Sequence, residues 1–67
     1  MEFKLKSNFI ELDNLLKIMD IAASGSEAKA IILEGKVVVN NVIETRIRRK
    51  LRTGDLVCMG DLEISIV

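Results

Sequence analysis

Between Arg46 and Arg52, seven consecutive positions carry Arg46, Arg48, Arg49, Lys50 and Arg52, with no acid among them. Guanidinium and ammonium groups at this density do one kind of chemistry well, the binding of phosphate-rich polyanions. The run is conspicuous because the chain as a whole is neutral, with ten basic and ten acidic residues; outside the segment five basic residues face ten acidic ones. The molecule is therefore expected to be a charge dipole with one basic face. A charge run is ordinarily a solvated surface, but such a surface usually mixes signs, and the purity of sign here favours a ligand. Ile47 and Leu51, four residues apart, are placed to anchor the segment to a core and to hold Arg48, Arg49 and Lys50 outward.

A second feature could converge on the same ligand. Ser24-Gly25-Ser26 opens a helix whose free amide groups and positive dipole end suit a phosphate oxygen, and Lys29 follows in the first turn. Every capped helix has such an end, so the feature matters only if it lies beside the basic run. Catalysis has little to stand on. The chain has no His and a lone Cys, and it carries neither a nucleotide-binding glycine loop nor a metal-ligating set. Cys58, in the strand-like "LVCM", reads as a small buried thiol, while Asp13, Asp55 and Asp61 read as helix-start and turn residues. The expectation is no enzyme, no cofactor and no metal.

The elements that must position these groups are legible from periodicity and punctuation. "MEFKLK" alternates as a short first strand. Asn8 followed by Glu11 matches a capping box, and Leu12, Leu15, Leu16 and Met19 then predict a helix over roughly Phe9 to Met19. Ser24 with Glu27 starts a second helix, whose apolar face is Ala28, Ile31 and Ile32 and whose stop is Gly35. Asn40-Asn41 tolerates positive φ and predicts a tight hairpin within "KVVVNNVIET". After the basic run come a Gly54-Asp55 turn, the strand "LVCM", a Gly60-Asp61 turn and a last strand "LEISIV". The fold class is α+β, two helices packed on a small, mainly antiparallel sheet. At 67 residues the chain is read as a single domain, 1–67, near the lower size limit for one core without a disulfide or metal. The lone cysteine favours a reducing, cytoplasmic setting, and the apolar runs are far shorter than the roughly 20 residues that span a bilayer.

The order of these pieces resembles the RNA-binding domain family of small-subunit ribosomal protein S-four, also called the alpha-L motif. The likeness is carried by Leu12-Asp13 opening the first helix, Ser24 and Ser26 with Ala28-Lys29 opening the second, Gly35 before the valine-rich Val37 to Asn40, and Gly54-Asp55. It covers Ile10 to Asp55 and matches the stand-alone bacterial members. The resemblance implies a protein that binds structured RNA through helix two and the following strand and loop. The site it implies comprises Ser26, Lys29, Lys36, Arg46, Arg48, Arg49, Lys50 and Arg52. Glu11, Gly25 and Asn41 depart from the family pattern, and the first two shift the weight from the helices toward Arg46 to Arg52.

With Phe9 read as core and no Tyr or Trp, no stacking platform for single-stranded bases is expected. Recognition should then rest on the shape, phosphates and 2′-hydroxyls of folded or double-stranded RNA. The family resemblance implies an RNA of the ribosomal or transfer class, on the ribosome or its precursors, with the protein acting as a monomer. Two other classes compete. A protein-interaction adaptor could use the segregated charges, whereas a ubiquitin-like sulfur carrier would need a Gly-Gly terminus in place of Ile64-Ser65-Ile66-Val67.

Overall fold

Three leucines at helical spacing, Leu12, Leu15 and Leu16, have no solvent exposure at all, and the elements are arranged around them. The computed structural model describes all residues, Met1 to Val67. In chain order the elements are β1 (Glu2–Phe3), β2 (Ile10–Glu11), α1 (Leu12–Ile18), α2 (Gly25–Leu33), β3 (Val38–Val39), β4 (Val42–Ile43), β5 (Lys50–Leu51), β6 (Leu56–Met59) and β7 (Leu62–Ile66). Five strands form one sheet in the order β1-β7-β6-β3-β4, and β2 and β5 form a separate two-stranded ribbon. Only the β1–β7 pairing is parallel. The α+β class and the mainly antiparallel sheet are as expected.

Local chemistry explains most of the boundaries. Ser24 Oγ accepts the Glu27 amide hydrogen at 3.2 Å and so caps α2, which ends before Gly35 at φ 75°. Asn40 and Asn41, at φ 51° and 71°, turn the β3–β4 hairpin. Short polar side chains adopt this conformation more readily than other non-glycine residues, which is why the pair reads as a turn. Helix α1 ends with Asp20 at φ 60°. The Ile21 amide bonds to the Leu16 carbonyl at 2.9 Å and that of Asp20 to Lys17 at 3.1 Å, the closing pattern usually built on glycine.

The start of α1 corrects the sequence reading. No capping box forms between Asn8 and Glu11; Glu11 is extended, gives no side-chain cap, and belongs with Ile10 to β2. The Leu12 amide instead bonds to the Arg49 carbonyl at 2.9 Å and the Asp13 amide to the Ile47 carbonyl at 3.1 Å. Backbone from the basic segment thus satisfies two of the orphan donors of the first turn.

Twelve buried residues form one core cluster, from the leucines of α1 and Ala28 and Ile32 of α2 through Val37, Val39, Val57, Ile64 and Ile66 near and in the sheet. Each large apolar side chain buried in this way stabilises the fold by about 1.5 to 3 kcal/mol. Leu51 belongs to the same cluster, and Ile47 packs against it. Both expected anchors therefore hold the basic segment down.

Candidate nucleic-acid interface

The basic segment is fastened along its length. Lys50-Leu51 pair with Glu11-Ile10 across the ribbon, and Arg46 to Arg49 make a turn in which the Arg49 amide bonds to the Arg46 carbonyl at 3.3 Å. Downstream, Asp55 Oδ2 accepts the Arg52 amide hydrogen at 2.8 Å. Asp55 Oδ1 accepts from Asn40 Nδ2, and Asn40 Oδ1 accepts from the Leu56 amide, each at 2.9 Å. The hairpin turn and the Gly54-Asp55 turn are thereby tied together, which gives Asn40 and Asp55 a structural role.

Glu44 was not anticipated at this site. It is the one buried charged residue, its side chain 8% exposed. Oε2 accepts from the Arg46 amide at 2.9 Å and from Arg46 Nε at 3.0 Å, while Oε1 accepts from Arg46 Nη2 at 3.0 Å and Arg49 Nη1 at 2.7 Å. The forked contact with Arg46 is the strong bidentate kind. It is the main reason that the carboxyl is held at about 2 against an ordinary 4.5, with Arg49 adding to it while burial pulls the other way. Its hydrogen bond and charge in turn raise the Arg46 guanidinium above its usual range. Burial pushes the Asp55 carboxyl up, but the Arg52 amide, the Asn40 side chain and the charges of Arg49 and Arg52 together bring it below its ordinary value.

The expected picture of an acid-free arc therefore changes. Arg49 does not project freely; its side chain is 27% exposed and engaged by Glu44. Arg46 is engaged too but keeps its outer face in water, at 73% exposure. Arg48, Lys50 and Arg52 have no acidic partner within 4 Å. All five basic side chains, and no hydrophobic residue, line one open hollow of about 570 Å³. A second hollow of about 450 Å³ is lined by Gly25, Ser26, Lys29, Asp13, Ile47 and Arg48. Arg48 is common to both, so the amino-terminal end of α2 and the basic segment share one surface. Lys36 stands apart, paired with Glu34 at 3.0 Å and lining a different hollow with Ile31, Met59 and Gly60.

Phe9 is a further correction. It is 36% exposed, not core, with Lys50 Nζ 5.0 Å and Arg52 Cζ 5.9 Å from its ring centroid. Cys58 is half-buried. No group of three or more His, Cys, Asp or Glu side chains is gathered to hold a metal. A signal for Glu44 existed, since residues two apart in extended chain share a face and Glu44 lies two before Arg46. Nothing local pointed to its contact with Arg49 across the turn.

Two helices on a mainly antiparallel sheet, with a cationic segment locked against the first helix, define an alpha-L class of domain. The chain belongs to the S4 domain family, which it matches over residues 3–67. It is 37% identical over 62 residues to YbcJ of Escherichia coli (strain K12), whose name refers to RNA binding, covering 92% of this chain and 89% of that protein. YbcJ of Shigella flexneri matches to the same extent, 37% over 62 residues. The solution structure of the E. coli protein, described as revealing an alpha-L motif involved in RNA binding, superposes with a TM-score of 0.74, covering 98% of this chain and 85% of YbcJ at 37% identity.

Proposed function

We propose that this protein binds structured RNA, of the ribosomal or transfer class, and acts by binding alone. The observation that carries the reading is the continuity of the cationic surface through Arg48. It joins Ser26 and Lys29 at the start of α2 to Arg46, Arg49, Lys50 and Arg52. Three unpaired cations on a backbone fixed by hydrogen bonds suit phosphates at set spacing, and the relatives' association with RNA supports the same ligand. The partner is a folded or double-stranded RNA, on the ribosome or its precursors, bound by a monomer in the cytoplasm. No helix is long and apolar enough to cross a membrane.

The test is salt dependence. Arg48, Lys50, Arg52 and Lys29, with the outer face of Arg46, supply about four or five phosphate contacts, so log affinity against log salt should slope near −3 to −4. A slope near zero for a folded RNA overturns the proposal, and retention of a protein partner after nuclease treatment would favour an adaptor.

A further inference from the structure

Beside the basic hollow lies a smaller, apolar one whose lining includes Phe9. Lys50 and Arg52 line the first and lie over the Phe9 ring, and the same ring lines the second hollow together with Leu5, Ile10 and Ile18. This second hollow, about 310 Å³, lies at the small end of ligand sites, which run from roughly 300 to 1,000 Å³. Lys4 and Lys6 stand on its rim, both exposed. An apolar recess with an aromatic wall thus has Lys4 and Lys6 in its lining and Lys50 and Arg52 over its aromatic ring.

We infer that this recess takes a single unpaired nucleobase of the bound RNA, stacked on Phe9, with the phosphates flanking that nucleotide held by Lys4 and Lys6 on one side and Lys50 and Arg52 on the other. The inference rests on the RNA-binding reading above and extends its surface to the amino-terminal strand. Three features commit the recess to a base. Its rim is cationic, as a nucleotide requires and an apolar peptide does not. Its wall is a partly exposed π-face already attractive to cations, and a base stacks on such a face more strongly than an exposed ammonium or guanidinium does. Lys50 and Arg52 are exposed and carry no ion pair, so both can move from the ring to a phosphate when the base arrives. One platform holds one base, so the ligand is a bulged or looped nucleotide within an otherwise folded RNA rather than an extended single strand.

The test compares two hairpin RNAs of matched sequence, one fully paired in its stem and one carrying a single bulged 2-aminopurine. The wild-type protein is expected to bind the bulged RNA more tightly and to quench the 2-aminopurine fluorescence. Phe9→Ala should weaken the bulged RNA by roughly fivefold to a hundredfold, leave the paired RNA within about twofold, and abolish the quenching. Phe9→Leu, which keeps an apolar side chain without a π-face, should behave like Phe9→Ala, and Phe9→Trp should retain the preference. Thermal melting of each variant should match that of the wild type. If Lys29→Ala and Arg48→Ala weaken both RNAs while Phe9→Ala weakens neither, or weakens both alike, the base site is wrong and the phosphate surface stands. If the wild-type protein binds neither RNA, the RNA-binding reading fails and this inference with it.

Discussion

Glu44 Oε1 accepts a 2.7 Å hydrogen bond from Arg49 Nη1 across five residues of chain, and this contact, with the fork to Arg46, turns five free cations into three free and two anchored. An acid inside the proposed phosphate-binding surface costs attraction at long range. What it contributes is position, since two long side chains that would otherwise sample many rotamers are held in one arrangement.

Replacing Glu44 with Gln tests that division. The variant keeps the shape and some hydrogen bonding but removes the charge, and it should lose about 1 to 3 kcal/mol of stability. Its binding should become more salt-dependent, by roughly one unit of log–log slope for each guanidinium released to a phosphate. Denaturant unfolding and salt titration of the same preparation check both. A less stable variant with an unchanged slope would mean that neither guanidinium gains a phosphate contact when Glu44 releases it.

Acid should expose the same contact. Because the folded protein holds Glu44 at about 2 against an ordinary 4.5, its contribution is complete above the upper value and is lost as pH falls from 4.5 toward 2. The depressed Asp55 carboxyl acts in the same direction. Unfolding free energies measured at pH 7, 4 and 2.5 should therefore fall through the acid range, and should fall less steeply for Glu44→Gln. Parallel curves for the two proteins would show that the carboxylate carries none of the acid sensitivity.

Changing Arg48, Lys50 and Arg52 together to Ala should leave the fold intact, since exposed substitutions each alter stability by about 0.5 kcal/mol or less. Affinity for folded RNA should drop roughly tenfold or more, with a slope flatter by about one unit per lost contact. Lys36→Ala is the control, equal per site in charge but set in another hollow. Should it weaken binding as much per charge as the triple variant, net charge rather than a localised surface governs association.

Leu16 and Ile32 have no exposure. Either one changed to Ala should cost about 2 to 5 kcal/mol, a large part of the roughly 5 to 15 kcal/mol that holds a typical domain. Binding would then be lost through unfolding, visible as a melting transition shifted far down. Melting curves indistinguishable from wild type would contradict the packing of both helices.

Asp20 offers a gain. It holds a left-handed conformation immediately after the cap of α1, with its carboxylate at the negative end of the helix dipole. Asparagine tolerates the same backbone without the charge, so Asp20→Asn should raise Tm by about 2 to 6 °C. A lowered Tm would mean that the carboxylate has a favourable interaction outweighing the dipole.

The elements legible in the sequence were those whose determinants lie within a few residues. Ser24 with Glu27, Gly35 and the Asn40-Asn41 pair each fix local backbone by their own chemistry, and α2 and the hairpin appear where those residues place them. The start of α1 was not legible because its caps are main-chain carbonyls of Ile47 and Arg49, far along the chain, and a carbonyl has no side-chain signature. The β2–β5 ribbon was hidden for the same reason. Phe9 was misplaced because hydropathy assigns an aromatic to the core without reference to the cations that tertiary structure brings over it. The expected site residues gather on one surface, except for Lys36, and the acid that organises two of them precedes the basic run in sequence.

The carbonyl caps on α1 have a dynamic consequence. A fluctuation that lifted the basic segment away would strip the Leu12 and Asp13 amides of their acceptors, so segment and helix open as one cooperative unit. The conformational entropy of ordering the segment is then lost during folding, before any ligand arrives, and binding begins from a surface that is already rigid. Amide hydrogen exchange reads this directly. Leu12 and Asp13 should exchange as slowly as core amides in the free protein, and adding RNA should slow them little further.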